Sequence, residues 1–486
     1  MKYFFNKSFS VFLMVTVFAI GMSGCKKLLD LKPPNSITRE NFFKSKDDAL
    51  STIIGCYDGL QNCAEKFMTW GEFRGDMVRA GLTTYPYNQN MDKLSAVSDW
   101  APVYTMIARA NIVIEFVPGI TQFDKEFSEE ASKKIVAEAL FLRSLGYFYL
   151  VRAFKEVPLI LVAPSSDDVN YFIPKSPADS VLNQIEADLA KAELNIPASY
   201  GTNNAENKGR ATLGALHALQ ADVYLWRAKY QKAVEASDKV LADVTNYKLV
   251  NGTDWFNIFG QKNTTESILE VQWDNSSAET NTLSGLVGAY SPTEDLQTLY
   301  TNMGDIVRGL NSTYITGNVW WKYKGLTATA ANLARPTNDA NFILYRLPEI
   351  MLMQADALAH LGSFEQKTRA ISLLDSVHVR AGLFPYDLNR GGNLDGNVPA
   401  SLLIELILQE KSMEFAVEGK RWFDLVRLAT NDNNPEFLIS RVVKSRSVGD
   451  RTLIRSRIVD PRSWYYPIWQ NELLRNPKLV QNPFYK

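Results

Sequence analysis

Cysteine and histidine are scarce in this sequence, and positive charge is not in excess. The 486 residues include 3 cysteines and 3 histidines, and the formal net charge is -1 at pH 7. A nucleic-acid binder needs a basic stripe to neutralise phosphates, and this composition offers none. His217, His360 and His378 are far apart, and no His-x-x-x-His or cysteine pair is spaced for a metal. The sequence therefore predicts no nucleic-acid binding, no metal site and no cofactor.

Catalytic motifs are missing as well. The sequence contains no Gly-x-Ser-x-Gly elbow, no P-loop and no dinucleotide fingerprint. Glu410, Glu414 and Glu418 follow one another at intervals of four and would share one helix face. Catalytic carboxylates of a glycosidase flank the bond about 5 to 10 Å apart, instead of facing the same way. With Arg421 and Arg427 nearby, the pattern favours a structural brace over catalysis; a surface hydrolase using Glu414 and Glu418 is the alternative.

Apolar runs long enough to span a membrane are absent from the N-terminus too. The run from Phe9 to Ile20 follows Lys2 and Lys7, which is typical of a secretory signal, and a membrane-spanning helix needs about 20 apolar residues. It ends at Ser-Gly followed by Cys25, which indicates a lipoprotein signal. The Cys25 thiol would carry the acyl chains, palmitate among them, and become the new N-terminus. A plain signal peptide with a cysteine near its cut site is the alternative.

These features predict the organisation of the chain. We expect a signal peptide over 1–24, a lipid anchor and tether over 25–45, and a single body over 46–486. Within the body we expect an N-terminal part over about 46–250 and a C-terminal part over about 251–486.

Cys56 and Cys63 are the cysteines that remain for the body. They are seven residues apart in what the pattern predicts to be one helix, so about 10 Å would separate them. A disulfide cannot span that distance without distortion of the helix. We interpret both as buried small apolar residues, and a bridge in an oxidising location stays the alternative.

Helical periodicity dominates the body. Small residues inside the helices and an aromatic residue at the turn recur around Gly214 to Leu241 and Ala355 to Leu374, as in tetratricopeptide units. Residues 244–340 are instead rich in Asn, Thr, Gly, Ser and aromatics, which is typical of long ordered loops. The predicted fold class is mostly α: a tetratricopeptide-like helical scaffold with a large loop-rich insert and a few short strands. The predicted helices are 47–63, 101–117, 129–154, 177–195, 210–228, 231–243, 347–361, 366–381 and 399–429, and the predicted strands are 157–162, 267–272 and 464–467.

Aromatic residues outside the helical stripes are the candidate ligand-binding residues. Flat rings beside Asn, Asp and Arg suit the apolar faces and hydroxyls of sugars. For each ring the alternative is burial beneath a long loop. We favour the neighbouring pair Trp320 and Trp321. The full set of candidates is Trp70, Tyr85, Tyr87, Trp273, Tyr314, Trp320, Trp321 and Tyr323.

A series of short motifs, in order along nearly the whole chain, resembles the SusD/RagB family of outer-membrane lipoproteins of Bacteroidetes. The most specific is Glu410-Lys-x-x-Glu414-Phe-Ala-x-Glu418-Gly-Lys-Arg421-Trp-Phe-Asp-Leu-x-Arg427. The others lie at 25–33, 73–76, 100–111, 138–159, 209–225, 346–357, 380–382 and 466–483. Lys155, His378 and Lys411 depart from the family pattern, at positions that belong to core braces.

The resemblance implies an α-helical fold and a function without catalysis. It implies a lipid-anchored protein of the outer membrane, facing the cell exterior, that captures an oligosaccharide. The partner would be a SusC-like TonB-dependent transporter, on which the scaffold side would dock. Capture of peptides, as by RagB-like proteins, is the alternative. Family binding residues lie in variable loops, so the aromatic candidates above come from this sequence alone.

Overall fold

The structure of the protein is a computed structural model. It describes residues 42–164, 170, 172–328, 333–386 and 394–485. The predicted signal peptide over 1–24, Cys25 and most of the tether lie outside the described residues.

Helices make up most of the N-terminal half. Several begin at a side chain that caps the first turn: Ser45 accepts a hydrogen bond from the amide of Asp48, whose carboxylate binds the Ser45 amide at 2.8 Å. Ser128 and Thr212 cap their helices in the same way. The helices are α1 (Lys46–Gln61), α2 (Ala64–Glu72), α3 (Ala101–Ile120), α4 (Glu129–Phe154), α5 (Ala178–Glu193), α6 (Asn204–Gly209), α7 (Leu213–Trp226) and α8 (Tyr230–Leu241).

Short elements fill the insert, and longer helices follow it. The helices of this half are α9 (Asn257–Gly260), α10 (Leu283–Gly288), α11 (Glu294–Met303), α12 (Leu347–Leu361), α13 (Phe364–Arg380), α14 (Ala400–Phe415), α15 (Arg421–Asn431), α16 (Pro435–Lys444), α17 (Arg451–Ile458) and α18 (Gln470–Arg475).

The described strands are short and pair antiparallel in twos. The longest pair is β4 (Ser267–Val271) with β8 (Phe342–Arg346), and both strands are buried throughout. The other pairs are β1 (Val78–Arg79) with β5 (Ser291–Pro292), β2 (Val157–Pro158) with β3 (Lys175–Ser176), and β6 (Tyr314–Ile315) with β7 (Val319–Trp320). Helix makes up 57% and strand 6% of the residues that the structure describes, so the predicted fold class is confirmed.

Two helix pairs that are distant in sequence lie side by side in space. The α7–α8 pair and the α12–α13 pair are the two best tetratricopeptide-like copies, and α8 packs directly against α12. Helix α3 packs against α4, and α4 packs in turn against α5. The insert between α8 and α12 therefore interrupts the repeats along the chain but not in the stack.

One stretch in the described ranges, Ala96–Ile120, is long and apolar enough to cross a membrane, and helix α3 makes up most of it. This helix packs against α1 on one side and α4 on another. Contact with neighbouring helices accounts for its apolar residues, such as Val103, Ile107 and Val113, which are buried.

The prediction of one helix over 399–429 is wrong. Helix α14 ends at Phe415 and α15 begins at Arg421, because Val417 and Gly419 have positive φ angles of 57° and 75°. The turn between them packs so closely on α2 that a Cβ on Gly71 would lie 1.8 Å from the Gly419 carbonyl oxygen. The Glu72 carboxylate accepts hydrogen bonds from the amides of Val417, Gly419 and Lys420.

Three further local predictions need correction. The predicted strand over 157–162 is limited to Val157–Pro158. Helix α1 ends at Gln61, so Cys56 and Cys63 are not in one helix, although both thiols are buried and free as predicted. The predicted strand over 464–467 is absent; Tyr466 instead makes a single backbone hydrogen bond, donated to the Ala153 carbonyl at 2.8 Å.

Candidate functional site

Most of the aromatic candidates are buried in this structure. Tyr85, with 36% of its surface exposed, is the exception among the eight. A ring without an exposed face offers nothing for a sugar to stack on, so their placement decides which of them a ligand can reach. The buried candidates are Trp70, Tyr87, Trp273, Tyr314, Trp320, Trp321 and Tyr323.

The favoured pair, Trp320 and Trp321, lies inside the insert. Trp320 is fully buried and pairs with Tyr314 in the β6–β7 hairpin. Trp321 packs in an aromatic cluster that includes Trp255, and its indole N–H donates to the Thr327 carbonyl at 2.7 Å. Both rings hold the insert together and are unavailable for stacking in this conformation.

The remaining buried candidates also have structural contacts. The Tyr323 hydroxyl donates to the Val417 carbonyl at 3.0 Å. The Trp70 indole donates to the Val97 carbonyl at 2.9 Å. Tyr87 lies under the Arg446 guanidinium, whose carbon is 3.9 Å from the ring centre.

Trp273 is the candidate that lines a cleft. It is 7% exposed, and it contributes to a cleft of about 510 Å³ between the α1–α2 junction and the loop that follows β4. A volume of that size is within the range of small-molecule sites. The cleft is lined by Gln61, Asn62, Ala64, Glu65, Trp273, Ala278, Glu279, Thr280, Asn281, Thr282 and Leu283. We call it the Trp273 cleft.

Hydrogen bonds hold the backbone of Trp273 on both sides. Its N–H donates to the Asn341 side-chain oxygen at 3.1 Å, and its carbonyl accepts from Lys262 at 2.9 Å. Gln61 donates to the neighbouring Gln272 carbonyl at 2.6 Å, which ties the end of α1 to this loop. The backbone around Trp273 is therefore held by three separate segments of the chain.

Asn281 fixes the far side of the cleft. Its backbone amide donates to the Asn338 carbonyl and its side-chain amide to the Ala340 carbonyl, each at 2.7 Å. Its side-chain oxygen accepts from the Leu283 amide at 3.0 Å at the start of α10. The loop is thus pinned at both ends before any ligand arrives, which lowers the entropy lost on binding.

Several polar groups of the cleft have hydrogen-bonding capacity to spare. Asn62 and Glu65 are exposed, as are Thr280 and Thr282. Among the residues that the structure describes, none donates to the Asn62 side-chain oxygen or the Glu65 carboxylate, and neither threonine hydroxyl is engaged. The cleft therefore combines a small apolar surface with free donors and acceptors.

A second cavity, of about 400 Å³, is mainly apolar and lies between α3 and the C-terminal segment. Phe172, with nearly half of its ring surface exposed, lines it together with Tyr104 and Leu479. Several of its polar side chains are already paired: the Tyr104 hydroxyl donates to the Pro158 carbonyl at 2.7 Å, and Asn476 donates to the Ile173 carbonyl at 2.8 Å. This groove offers fewer free polar groups than the Trp273 cleft.

The carboxylates of α14 form a buried ionic network. Arg308 binds Glu410 at 2.6 Å and Glu414 at 2.9 Å, and Lys322 binds Glu418 at 2.7 Å. Burial would raise the pKa of Glu414, but Arg380, Arg346 and Arg308 outweigh it and hold that pKa well below its usual range. These carboxylates have almost no exposed surface and do not reach either cavity.

The cations of this network differ from those that the sequence suggested. Arg421 binds Asp76 instead, and Arg427 binds Asp356 at 2.5 Å. The residues that neutralise the glutamates are Arg308, Lys322, Arg346 and Arg380, from the insert, β8 and α13, and His378 contacts Glu410. Sequence proximity identified the carboxylates but not their partners, which come from 32 to 106 residues away along the chain.

The histidines each contact a carboxylate. His217 lies 3.0 Å from Glu193, and His378 lies 2.7 Å from Glu410. His360 contacts Asp356 at 2.9 Å. Within the described ranges no group of three or more histidine, cysteine, aspartate or glutamate residues is arranged to hold a metal ion.

Two family models cover most of the chain. One, described as the SusD family, matches residues 251–485, and another, described as starch-binding associating with outer membrane, matches residues 27–225. This chain belongs to the SusD/RagB family. The boundary between the matched parts falls near the start of the insert.

Individual SusD/RagB relatives agree with this assignment. SusD-like protein P38 of Formosa agariphila is 26% identical over 99% of each chain. A SusD superfamily protein of Bacteroides fragilis has a TM-score of 0.73 at 21% identity, covering 91% of this chain and 100% of its own. A laminarin binding SusD-like protein has a TM-score of 0.68 at 24% identity, covering 90% of this chain and 99% of its own. At these identities the two structures show that the SusD fold is shared.

Proposed function

We propose that this SusD/RagB protein captures oligosaccharides at the cell surface, in the Trp273 cleft, and delivers them to a TonB-dependent outer-membrane transporter. The observation that carries the proposal is the Trp273 cleft itself, a pinned cavity with free polar groups in a chain of this family. Support also comes from the similar fold of a laminarin binding SusD-like protein. The lipid on Cys25 would keep the protein beside the transporter.

The lining of the Trp273 cleft suits a sugar. Hydroxyl groups need both donors and acceptors, which Asn62, Thr280 and Thr282 supply. The Trp273 side chain, which is 7% exposed, and the exposed Ala278 add a small apolar patch to this polar lining. The exposed residues of the loop leave the entrance open to solvent, so a chain longer than the cleft can extend outward.

We propose binding without catalysis. A hydrolase of this fold would have to use carboxylates that reach a glycosidic bond, and the sequence candidates Glu414 and Glu418 are buried in ion pairs. Glu65 and Glu279 line the Trp273 cleft, but both are exposed to water.

Titration calorimetry on the mature protein tests the proposed site. The panel contains neutral oligosaccharides, including laminarin fragments, and a peptide digest. We expect a glycan of this panel to bind, and Trp273→Ala to weaken its binding at least about tenfold, or about 1.4 kcal/mol. Phe123→Ala, which removes an exposed ring elsewhere, is the control and should bind as wild type does.

A second variant guards against loss of folding in Trp273→Ala. Asn62→Ala combined with Thr280→Ala removes exposed polar groups of the cleft, and Gln231→Ala combined with Thr452→Ala is the matched exposed control. Weaker binding in the first pair alone supports the site. Unchanged affinity in both cleft variants places the ligand elsewhere. Binding of the peptide digest and of no glycan would favour the peptide-capture alternative.

Pull-down of the transporter from outer membranes tests the delivery step. Wild-type protein with its lipid should retain a TonB-dependent transporter, whereas a mature protein that retains none would contradict delivery while leaving capture intact.

A further inference from the structure

The two walls of the Trp273 cleft carry negative charge and no positive charge. Residues 61–65 contribute Glu65, and residues 273–283 contribute Asp274 and Glu279; neither segment contains a lysine or an arginine. Glu65 and Glu279 line the cleft directly. Asp274 lies on the same loop, where hydrogen bonds from the Ser276 hydroxyl and amide lower the pKa of its carboxyl group.

Three cations beside these two walls make their hydrogen bonds or ion pairs with groups outside the cleft. Lys66 donates to the Ala96 carbonyl at 2.6 Å. Lys262 lies behind Trp273, where it binds Asp339 at 2.9 Å and is mostly buried. Arg109 is paired with Asp58 on the preceding turn of α1. None of the three lines the cleft.

The helix ends beside the cleft do not reverse this balance. Helix α1 ends at Gln61 and α2 begins at Ala64, so the partial negative charge of one end lies next to the partial positive charge of the other. Glu65 is in the first turn of α2 and offsets the positive end further. The field inside the cleft is therefore set mainly by the carboxylates.

We infer that the Trp273 cleft selects uncharged saccharides and excludes those that carry carboxylate or sulfate groups. This inference rests on the proposed function, because it concerns the ligand of the same site. An anionic group in the cleft lies near Glu65 and Glu279, and no lysine or arginine is among the lining residues. The carboxylates still accept hydrogen bonds from the hydroxyls of a neutral sugar.

The expected loss of affinity for an acidic saccharide depends on the distance between its charge and the carboxylates of the cleft. Two like charges about 7 Å apart at a partly exposed site weaken binding by about tenfold. Salt reduces the effect, because the Debye length falls from about 10 Å at 0.1 M to about 3 Å at 1 M. Discrimination against acidic saccharides should therefore be strongest in dilute buffer.

An array of neutral, uronate-containing and sulfated oligosaccharides, probed with the labelled mature protein, tests the inference. Binding confined to neutral members supports it. Binding of acidic members as strongly as of neutral ones overturns it and leaves glycan capture standing. An array without any bound member overturns the proposed function, and the inference with it.

A charge variant tests the cause of the selectivity. For the best neutral ligand, the primary hydroxyls are oxidised to carboxylates, and both forms are titrated at 20 mM and 500 mM salt. Glu65→Gln combined with Glu279→Gln should raise the affinity of the oxidised form relative to the neutral form at least fivefold at low salt, on the order expected for like charges at this range. An unchanged ratio contradicts the inference.

The control variant makes the same change in net charge elsewhere. Glu126→Gln combined with Glu235→Gln alters two exposed glutamates outside the cleft. Its ratio of affinities should equal that of wild type. A shift as large as in the cleft variant would show a general charge effect and overturn the assignment to the cleft.

Discussion

Arg421 and Asp76 form a buried, two-pronged ion pair between segments that are far apart along the chain. The Arg421 Nε and Nη2 atoms donate to the two Asp76 carboxylate oxygens at 2.6 and 2.8 Å, across 345 positions of sequence. Asp76 belongs to an Arg-Gly-Asp tripeptide that matches a cell-adhesion sequence, but both of its charged side chains are buried. Arg74 donates to the carbonyls of Ser463 and Trp464, so the tripeptide is a structural turn.

Removal of Asp76 should destabilise the protein strongly. Asp76→Ala leaves the Arg421 guanidinium buried without its partner, and we expect a loss of about 3 to 5 kcal/mol in the free energy of unfolding. Urea denaturation followed by fluorescence measures it. The control Glu436→Ala breaks the exposed pair with Arg455 and should cost at most about 1 kcal/mol. Equal effects of the two changes would contradict a structural role for Asp76.

Glu414→Gln should lower the free energy of unfolding. We expect it to remove no glycan-hydrolysing activity. The variant removes the charge that Arg308, Arg346 and Arg380 share, at an expected cost of about 3 kcal/mol at pH 7. Because the folded pKa of Glu414 is depressed, its contribution is present above the ordinary pKa of 4.5 and is lost as the pH falls. The difference between wild type and variant should therefore shrink in acid. A glycan-hydrolysing activity that disappears in this variant would instead establish the hydrolase alternative.

Glu72 should have the opposite pH dependence. Burial raises the pKa of the Glu72 carboxyl group to about 7. Hydrogen bonds from the backbone amides of Val417, Lys420 and Gly419 lower this pKa, but burial outweighs them. A folded pKa above the ordinary 4.5 means that its contribution is greatest below pH 4.5 and is lost as the pH rises to 7. The stability of wild type minus that of Glu72→Gln should fall by about 3 kcal/mol between pH 4.5 and 8. Urea denaturation across this range checks it, and a constant difference would refute it.

Trp320→Ala should act on stability. The ring is fully buried in the β6–β7 hairpin, and truncation of such a ring costs about 3 to 5 kcal/mol. Thermal unfolding measures this cost, and titration below the new melting temperature measures ligand affinity. Affinity within about twofold of wild type is expected for the folded variant. A large loss of affinity with unchanged stability would restore Trp320 as a ligand-binding residue.

Cys25→Ala should release the protein from the membrane. Without the thiol no acyl chain can be attached, so the protein should move from the membrane fraction to the soluble fraction. Labelling of intact cells with an impermeant reagent tests the outward orientation of wild type. Membrane retention of the variant would contradict the lipid anchor.

The spacing of apolar residues predicted the helices well. A helix that buries one face shows this spacing within its own sequence, so no distant segment is needed to recognise it. The α7–α8 and α12–α13 pairs and the carboxylate face of α14 could all be read locally. The break at Val417 and Gly419 could not, since it depends on the approach of α2 from the other end of the chain. The same holds for Arg308, which meets Glu410 across 102 positions.

The Trp273 cleft was only partly predictable. Trp273 was a candidate, but Asn62 and Thr280 were not, because exposed polar residues at a helix end and in a loop have no distinctive pattern. The signal that could have found them is the Asn-, Ser- and Thr-rich loop directly after the buried strand β4. Their meeting depends on the docking of α1 against that loop through Gln61.

The sequence by itself determined the helical class, the family and the face that carries the glutamates, because these depend on residue type and spacing within short segments. Only the tertiary structure decided which aromatic rings are covered and which polar groups stay free. Exposure depends on which distant segments pack over a residue. Trp320 and Trp273 look alike in sequence, but Trp320 lies in a core and Trp273 lies at a cleft.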